Sequence, residues 1–476
     1  MRARTQRENL LHLRLIAPFT RLSPVVAPLT ILNNNVTYPR RSPTALSPEK
    51  AREYIDRLHA IRDTAFSPPD EWMNKESGER LLQYLARAEA GELLPHPHIV
   101  LVSWHFLSAA YDPDSACGEA IWMRPILKLL KDHDVFLIYA GFPEKAFQKA
   151  FKLLGNDLVS HAWMDEGHLI HCFRDPQHCI QSPLNPDGIP LWKMFAFTFW
   201  GSLPVDISGQ WRPESGTSWS FNPLGREWNL VPYQMPEGHF YIGYHYERCD
   251  SLQYVPFAER PDQIVILAKK SKYLRANNGL LFDPSNFYTR LKNGTGYDIL
   301  TNAHEDEGYP IPDGLTSVGL LPQVEYDHQL ANTKALLCIG KPQISPTPYA
   351  SLCRGVPVVI PYRSGKCSPR PGPGQYCGFY EDSHQHGPVA AIGEPYAYTV
   401  DLDGPVDDII TTIEQAANTP IEPFEPEEMK IDAVRMRLLD YFEIDWEVYG
   451  RAKGFETREM VLMPGLIEWT ERNALD

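Results

Sequence analysis

The sequence has no long uninterrupted apolar run. Its most apolar early stretch, residues 10–32, is interrupted by Arg14, Arg21 and several prolines. It therefore fails the requirement of about 20 predominantly apolar residues for a membrane-spanning helix. The same stretch is also a poor match to a secretory signal peptide. We expect contact with a membrane only through an anchor that is not visible in this chain.

Short motifs that often reveal chemistry are missing as well. The chain has no Gly-x-Gly-x-x-Gly turn, no Walker motif and no Gly-x-Ser-x-Gly elbow, so the usual signals of dinucleotide binding, a P-loop or a serine hydrolase are absent. None of its eight cysteines forms a Cys-x-x-Cys pair, which argues against a zinc ribbon or a thioredoxin-like centre.

Candidate metal ligands are few. Two Asp-x-Asp pairs, at 112–114 and 401–403, and the pair His384 and His386 are present. Such short patterns are common by chance and carry little weight without a structural context. We therefore predict no metal site and no cofactor.

An excess of positive charge is also absent. The chain has 45 Lys and Arg against 60 Asp and Glu, a net charge of −15. This balance argues against nonspecific binding to nucleic acid or to an anionic membrane, while it leaves room for a local basic pocket. With 476 residues and 43% hydrophobic content, the chain is long enough for about two or three globular domains.

The cysteines and two glycosylation sequons bear on the compartment. Cys338 lies in an apolar strand and is predicted to be a buried free thiol. The pairs Cys172/Cys179 and Cys367/Cys377 lie in loop-like sequence and would form disulfides in an oxidising compartment, or remain thiols in a reducing one. The sequons at 35–37 and 293–295 are expected by chance in a chain of this length.

Alternating buried strands and helices predict two α/β domains with doubly wound sheets. The first strand is expected at 98–103, followed by a helix at 125–131 and a strand at 135–139; a strand at 263–268 begins the second domain. The expected divisions are an irregular stem (1–46), a helical extension (47–96), a first α/β domain (97–255), a second α/β domain (256–427) and a C-terminal helical segment (428–476).

Residues 319–362 are the most informative segment. A buried strand at 335–339 leads into a proline- and hydroxyl-rich loop at 341–348, which is followed by a short helix. Ser345 and Thr347 therefore lie between the carboxyl end of a strand and the start of a helix. Open parallel sheets bind ligands at this position, and helix N–H groups there favour anions such as a diphosphate.

This segment resembles glycosyltransferase family 18, the N-acetylglucosaminyltransferases V that build β1,6 branches on N-glycans. The positions that match the family's pattern are Gly319, Leu321, Thr333, Lys334, Pro346, Pro348 and Gly355. Residues 395–402 and 421–424 match two further family segments. The resemblance covers 237–442 well and 97–236 more loosely, and it does not extend to 1–96.

The resemblance implies a fold and an activity. The implied fold is GT-B-like, with two Rossmann-like domains facing a cleft. The implied activity is that of a hexosyltransferase, which moves N-acetylglucosamine from UDP-GlcNAc to a mannose-containing N-glycan, with inversion and without a metal. Family members are Golgi membrane proteins, so a place in the Golgi or secretory pathway is expected on that ground alone.

The resemblance also carries over site residues. Gly118-Glu119, followed by His133-Asp134, resembles the family's catalytic glutamate segment, so Glu119 is the candidate base. The alternative is that Glu119 only places a negative charge at a helix start.

Lys269, Ser345, Thr347 and Lys366 are the candidates for holding the donor diphosphate. For Lys269 the alternative is a solvated lysine cluster with Lys270 and Lys272, and for the two hydroxyls it is simple capping of a helix.

Three departures from the family pattern surround the donor site. Val324, Ile344 and Ala350 stand where the family has an arginine and two glutamates. Loss of the two glutamates would remove roughly 1.5–3 kcal/mol of charge-assisted hydrogen bonding each. Two alternatives therefore stay open: a glycan-binding protein of the same fold that has lost turnover, and a transferase that uses another nucleotide sugar.

Overall fold

The computed structural model describes residues 32–33, 36–62, 68–112, 115, 117–140, 144–175, 177–182, 185–199, 225–234, 238–251, 254–275, 286–339, 344–367, 370–376 and 386–453. The described part begins with a short antiparallel pair of strands, β1 (Leu32–Asn33) and β2 (Val36–Thr37), and two helices, α1 (Pro48–Arg62) and α2 (Pro68–Glu89). Ser47 precedes helix α1, and its hydroxyl accepts a hydrogen bond from Lys50 N at 3.2 Å, as an N-cap does.

The next part of the chain forms a six-stranded parallel sheet. Its elements are β3 (His98–Ser103), α3 (His105–Ala110), α4 (Gly118–Asp132), β4 (Val135–Tyr139), α5 (Glu144–Leu154), β5 (His161–Met164), α6 (Glu166–Arg174), β6 (Met194–Phe197), β7 (Asn229–Val231) and β8 (Phe240–Tyr241). The strand order is β4-β3-β5-β6-β7-β8. The central strands β3, β5 and β6 are buried almost throughout, as expected for a parallel sheet covered on both faces.

A second six-stranded parallel sheet follows. Its elements are β9 (Gln263–Leu267), α7 (Phe287–Thr295), β10 (Asp298–Thr301), β11 (Thr316–Ser317), α8 (Gln323–Ala331), β12 (Ala335–Cys338), α9 (Thr347–Leu352), β13 (Val358–Tyr362), α10 (Gly387–Ala390), β14 (Ala397–Asp401) and α11 (Val406–Ala417). The order β11-β10-β9-β12-β13-β14 changes direction between β9 and β12. The predicted pair of doubly wound, Rossmann-like domains in a GT-B-like arrangement is thus confirmed.

The last two described helices pack against the first domain. Helices α12 (Ile431–Glu443) and α13 (Trp446–Ala452) follow the second sheet, and Trp163 Nε1 on β5 donates to Tyr441 Oη at 2.9 Å. The Trp446 ring lies 5.5 Å from the Trp228 ring, next to β7. Aromatic packing of this kind buries large apolar areas and fixes the C-terminal helices to the first sheet.

Helix α2 covers the open edge of the first sheet. Asn74 donates to Tyr139 O at 2.7 Å and accepts from Tyr139 N at 2.7 Å, while Ser77 Oγ accepts from Leu137 N at 2.9 Å. These side chains replace a neighbouring strand along β4. The predicted helical extension therefore satisfies backbone groups that an edge strand would leave unpaired.

The expected helix at 125–131 begins earlier than predicted. Helix α4 starts at Gly118, so Pro125 lies inside it and Glu119 lies in its first turn rather than in a loop before it. The Cys117 sulfur caps this start by accepting from Ala120 N at 3.3 Å. The sequence misled here because proline usually marks a helix start and cysteine is an uncommon cap.

Two disulfides are present in the described part of the chain. Cys172 and Cys179 pair, as one of the sequence alternatives has it, and Cys353 pairs with Cys249, a partner that the sequence did not indicate. Cys338 is a buried free thiol, as predicted. Cys367 is disulfide-bonded, and its suggested partner Cys377 lies outside the described residues.

No described helix is both long and apolar enough to cross a membrane.

Candidate functional site

A cavity of about 460 Å³ lies between the two sheets. The first domain contributes Cys117, Gly118, Glu119, Ile121, Phe199 and Tyr246 to its lining. The second domain contributes Leu267, Ala268, Lys269, Asn302, Leu320, Leu321, Gln323, Tyr326, Ile344, Ser345, Pro346, Thr347 and Ala350. The volume lies in the range typical of small-ligand sites, about 300–1,000 Å³.

The cavity lies at the point where the strand order of the second sheet reverses. Residues 267–269 end and follow β9, and residues 344–347 follow β12, its neighbour across the reversal. Open α/β sheets bind ligands in this crevice outside the carboxyl ends of their strands. The topology therefore puts the cavity where a ligand site is expected.

Glu119 extends from the first turn of α4 into the lining of this cavity. Tyr244 Oη donates to Gly118 O at 3.4 Å, which fixes the residue before it. Burial raises the pKa of Tyr244 well above its usual value, and the nearby Glu119 carboxylate raises it further. The carboxylate thus faces both a ligand-sized space and a group of buried tyrosines. Its position in the first helical turn also agrees with the helix-start alternative.

Gly118 brings the two domains into close contact. A Cβ atom on this residue would lie 3.1 Å from Pro346 Cδ in the second domain and 3.2 Å from Phe199 Cζ. Both distances are tighter than ordinary van der Waals contact. Because glycine has no side chain, the start of α4 can lie directly against the loop that contains Ser345 and Thr347.

The hydroxyls of that loop are joined to each other. Ser345 Oγ donates to Thr347 Oγ1 at 3.0 Å and accepts from Thr347 N at 3.2 Å, and Ser345 N donates to His386 Nδ1 at 3.1 Å. Ser345 thus closes a local turn just before α9. The helix itself has Pro346 as its N-cap, without a side-chain cap hydrogen bond, so these bonds are not helix capping. Both residues still line the cavity, so a role in donor binding remains a prediction.

Tyr326 is a site residue that sequence reasoning missed. It lines the cavity from α8, burial raises the pKa of its phenol, and a hydrogen bond with Thr347 opposes that rise. Its hydroxyl therefore belongs to the Ser345–Thr347 group. A tyrosine on a short helix gives no sequence signal of such a role, since only the fold brings α8 beside α9.

The lysine candidates differ in whether they line the cavity. Lys269 is exposed and lines the cavity, whereas Lys270, Lys272 and Lys366 are not among its lining residues. Lys366 lies in the turn after β13, where Ser364 N donates to Asp401 Oδ1 at 3.0 Å and Gly365 N donates to Asp403 Oδ2 at 3.0 Å. The Asp-x-Asp pair at 401–403 therefore organises this turn, which lies outside the lining of the cavity.

Among the described residues, no group of three or more His, Cys, Asp or Glu is arranged to hold a metal ion. The pair at 112–114 and His384 fall partly or wholly outside the described residues.

The departures from the family pattern shape the cavity wall. Ile344 and Ala350 are buried and line the cavity, so its wall is apolar where the family has carboxylates. Val324 is 73% exposed and does not line the cavity. Two of the three substitutions therefore change the surface that a ligand would touch, and the third lies outside it.

A stack of tyrosines crosses between the domains beside Glu119. The Tyr233 ring lies 5.7 Å from the Tyr244 ring and 5.4 Å from the Tyr349 ring, with interplanar angles of 9° and 12°. Tyr349 belongs to α9, two residues after Thr347. The stack therefore joins α9 to Tyr244, whose hydroxyl donates to Gly118 O at the start of α4.

Comparison with known proteins gives fold likenesses at low similarity. No protein-family model and no curated protein matches the sequence. Among solved structures, the UDP-GlcNAc 2-epimerase of Methanocaldococcus jannaschii is similar over 72% of this chain and 99% of its own, with 8% identity and a TM-score of 0.38.

Two further structures are similar in the same way. The trehalose-6-phosphate synthase OtsA is similar over 80% of this chain and 98% of its own, with 12% identity and a TM-score of 0.37. A variant of the O-GlcNAc transferase of Thermobaculum terrenum is similar over 89% of this chain and 79% of its own, with 12% identity and a TM-score of 0.32.

Proposed function

We propose that this chain is an inverting, metal-independent glycosyltransferase that moves N-acetylglucosamine from UDP-GlcNAc to a mannose-containing N-glycan and forms a β1,6 branch. The observation that supports it is one cavity lined by Glu119 from the first domain and by Lys269, Ser345 and Thr347 from the second. The donor and acceptor are those that the resemblance to family 18 implies. The proposal includes neither a nucleic acid nor a metal ion.

The reaction would use each side of the cleft for one task. Glu119 would accept the proton of an acceptor hydroxyl as the oxygen attacks the anomeric carbon. The bond from that carbon to the diphosphate would break on the opposite face, which inverts the configuration. Lys269 would stabilise the charge that develops on the leaving diphosphate, together with the hydroxyls of Ser345 and Thr347.

The rival function is a glycan-binding protein that has kept the fold and lost turnover. The buried, apolar Ile344 and Ala350 in the cavity wall favour it, because they offer no charged partner to ribose or sugar hydroxyls. The same residues are compatible with a transferase that uses another nucleotide sugar. The three functions differ in which nucleotide sugars bind and which turn over.

A donor screen with purified protein separates these functions. UDP-GlcNAc, other UDP-sugars and GDP-sugars would be offered with and without mannosyl glycans, and release of UDP or GDP would be measured. Release that requires the glycan and is largest with UDP-GlcNAc supports the proposal. Calorimetric binding of glycans without any response to nucleotide sugars would support the glycan-binding protein instead.

Replacing Glu119 by Gln tests the proposed base. Loss of a positioned base should lower kcat by about 10²–10⁴-fold while the affinity for UDP and the folding stability stay nearly unchanged. Glu325→Gln is a matched control, because Glu325 is exposed on α8 and does not line the cavity. Turnover retained in Glu119→Gln would remove Glu119 from the mechanism.

A further inference from the structure

The sequon at 293–295 lies on the surface of the second domain. Asn293 is exposed near the C-terminal end of α7, and Gly294 packs toward α11, since a Cβ there would lie 3.3 Å from Ile410 Cγ2. The helix ends at Gly296, which has a positive φ of 74°. The Asn293 side chain thus has access to solvent.

Asn293 lies at the edge of the sheet opposite the cleft. The end of α7 leads directly into β10, whose first residue Asp298 pairs with Gln263, the first residue of β9. The cavity begins at Leu267, the last residue of β9. At about 3.3 Å per residue the two edges are roughly 13 Å apart along the strand. A glycan on Asn293 would therefore point away from the cavity.

The disulfides give an independent indication of the compartment. Cys172 pairs with Cys179, Cys249 pairs with Cys353, and Cys367 is also bonded. The Cys249–Cys353 pair joins residues 104 positions apart, so it depends on the folded arrangement of both domains. Such bonds persist in oxidising compartments, which in eukaryotic cells are also those that attach N-glycans.

We propose that Asn293 is an N-glycan acceptor and that this chain matures in an oxidising secretory compartment. The co-substrate is a lipid-linked oligosaccharide diphosphate. Asn293 Nδ2 forms a bond to its anomeric carbon and loses one proton, while the bond from that carbon to the diphosphate breaks and the lipid diphosphate leaves with the electron pair. This proposal is independent of the proposed transferase activity.

The test uses the full chain expressed in cultured eukaryotic cells. Peptide N-glycosidase F in heavy-oxygen water converts a glycosylated asparagine to a labelled aspartate, which peptide mass spectrometry locates. The expected result is label at Asn293 and none at Asn418, an exposed asparagine at the end of α11 that has no sequon. Non-reducing peptide maps should recover Cys249 linked to Cys353.

Variants of the third sequon position provide a second readout. Thr295→Ala should abolish the label at Asn293, and Thr295→Ser should retain it, because serine keeps the sequon. An unlabelled Asn293 in a chain with the Cys249–Cys353 link intact would overturn the acceptor assignment. An unlabelled Asn293 together with both cysteines as thiols would overturn the compartment as well.

Discussion

At the scale of single residues, the cleft depends on one missing side chain. Gly118 fits between Pro346 and Phe199 with no space for a Cβ atom at ordinary contact distance. Its neighbour Glu119 is the candidate base, so the closeness of this contact decides how near the carboxylate lies to the hydroxyl loop. The residue is thus constrained by packing between domains rather than by backbone flexibility.

Alanine substitutions at two helical glycines test this constraint. Gly118→Ala should strain the domain contact by about 1–3 kcal/mol and lower the kcat/KM of the proposed transfer by roughly tenfold or more. The control is Gly78→Ala in α2, where a Cβ would meet nothing within 4 Å. That change should raise the free energy of unfolding by about 0.5–1 kcal/mol. Equal kcat/KM for Gly118→Ala and the parent chain would contradict the packing argument.

At the scale of elements, two strands of the first sheet begin with histidines, of which one is partly buried and the other fully buried. His98 starts β3 and His161 starts β5, with ring centroids 6.3 Å apart. Within the described residues, the buried Nδ1 of His98 and Nε2 of His161 have no hydrogen-bond partner. Burial lowers the pKa of His98 to about 4, with the Arg41 charge adding to the effect, and burial lowers that of His161 well below its usual value.

Because the pKa values of both histidines are lowered in the fold, we expect the chain to lose stability in acid. Each stays neutral in the folded chain, while in the unfolded chain it takes up a proton near pH 6.5. Stability is therefore fully present above pH 6.5 and falls as the pH drops toward 4, by up to about 3 kcal/mol for His98.

Urea unfolding of His98→Phe and of the parent chain between pH 7 and 4 measures this loss. The difference in unfolding free energy between the two chains should shift in favour of His98→Phe as the pH falls. His59→Phe, which changes an exposed residue of α1, is the control variant. Parallel pH profiles for His98→Phe and the parent chain would show that His98 does not remain neutral in the fold.

At the scale of the whole molecule, the segment that joins the domains is anchored to the hydroxyl-loop side of the second sheet. Cys249, which follows the last strand of the first sheet, is bonded to Cys353 at the end of α9. Beside it, the buried Arg354 lies 2.9 Å from Asp327, which also pairs with Arg248. The connection therefore holds α8 and α9 in place relative to the first domain.

Removing each disulfide separately should show how much the long connection contributes. By loop-closure entropy, Cys249→Ser/Cys353→Ser should cost about 5 kcal/mol, because the loop spans 104 positions. The matched pair Cys172→Ser/Cys179→Ser closes a loop of only 7 positions and should cost about 2.5 kcal/mol.

Chemical denaturation measures both costs, and UDP titration should show weaker binding for the Cys249/Cys353 variant alone. An equal loss of UDP affinity in both variants would mean that the long disulfide has no special effect on the site.

The sequence by itself determined the two doubly wound domains and the position of the hydroxyl loop. Buried β-strands are local patterns, and the strands at 98–103, 135–139 and 335–338 lie where those patterns predict. The site could be predicted in outline for the same reason, since residues that follow parallel strands meet at one edge of a sheet.

Tertiary structure decided what no local pattern contains. The start of α4 depends on an unusual cysteine cap, and the Cys249–Cys353 bond and the tyrosine stack join segments far apart in the chain. Tyr326 contacts the Thr347 hydroxyl only because α8 packs beside α9. Lys366 lies outside the cavity lining, in a turn whose backbone N–H groups bind Asp401 and Asp403. These features depend on distances between domains and layers, and the sequence specifies such distances only through the complete packing of the core.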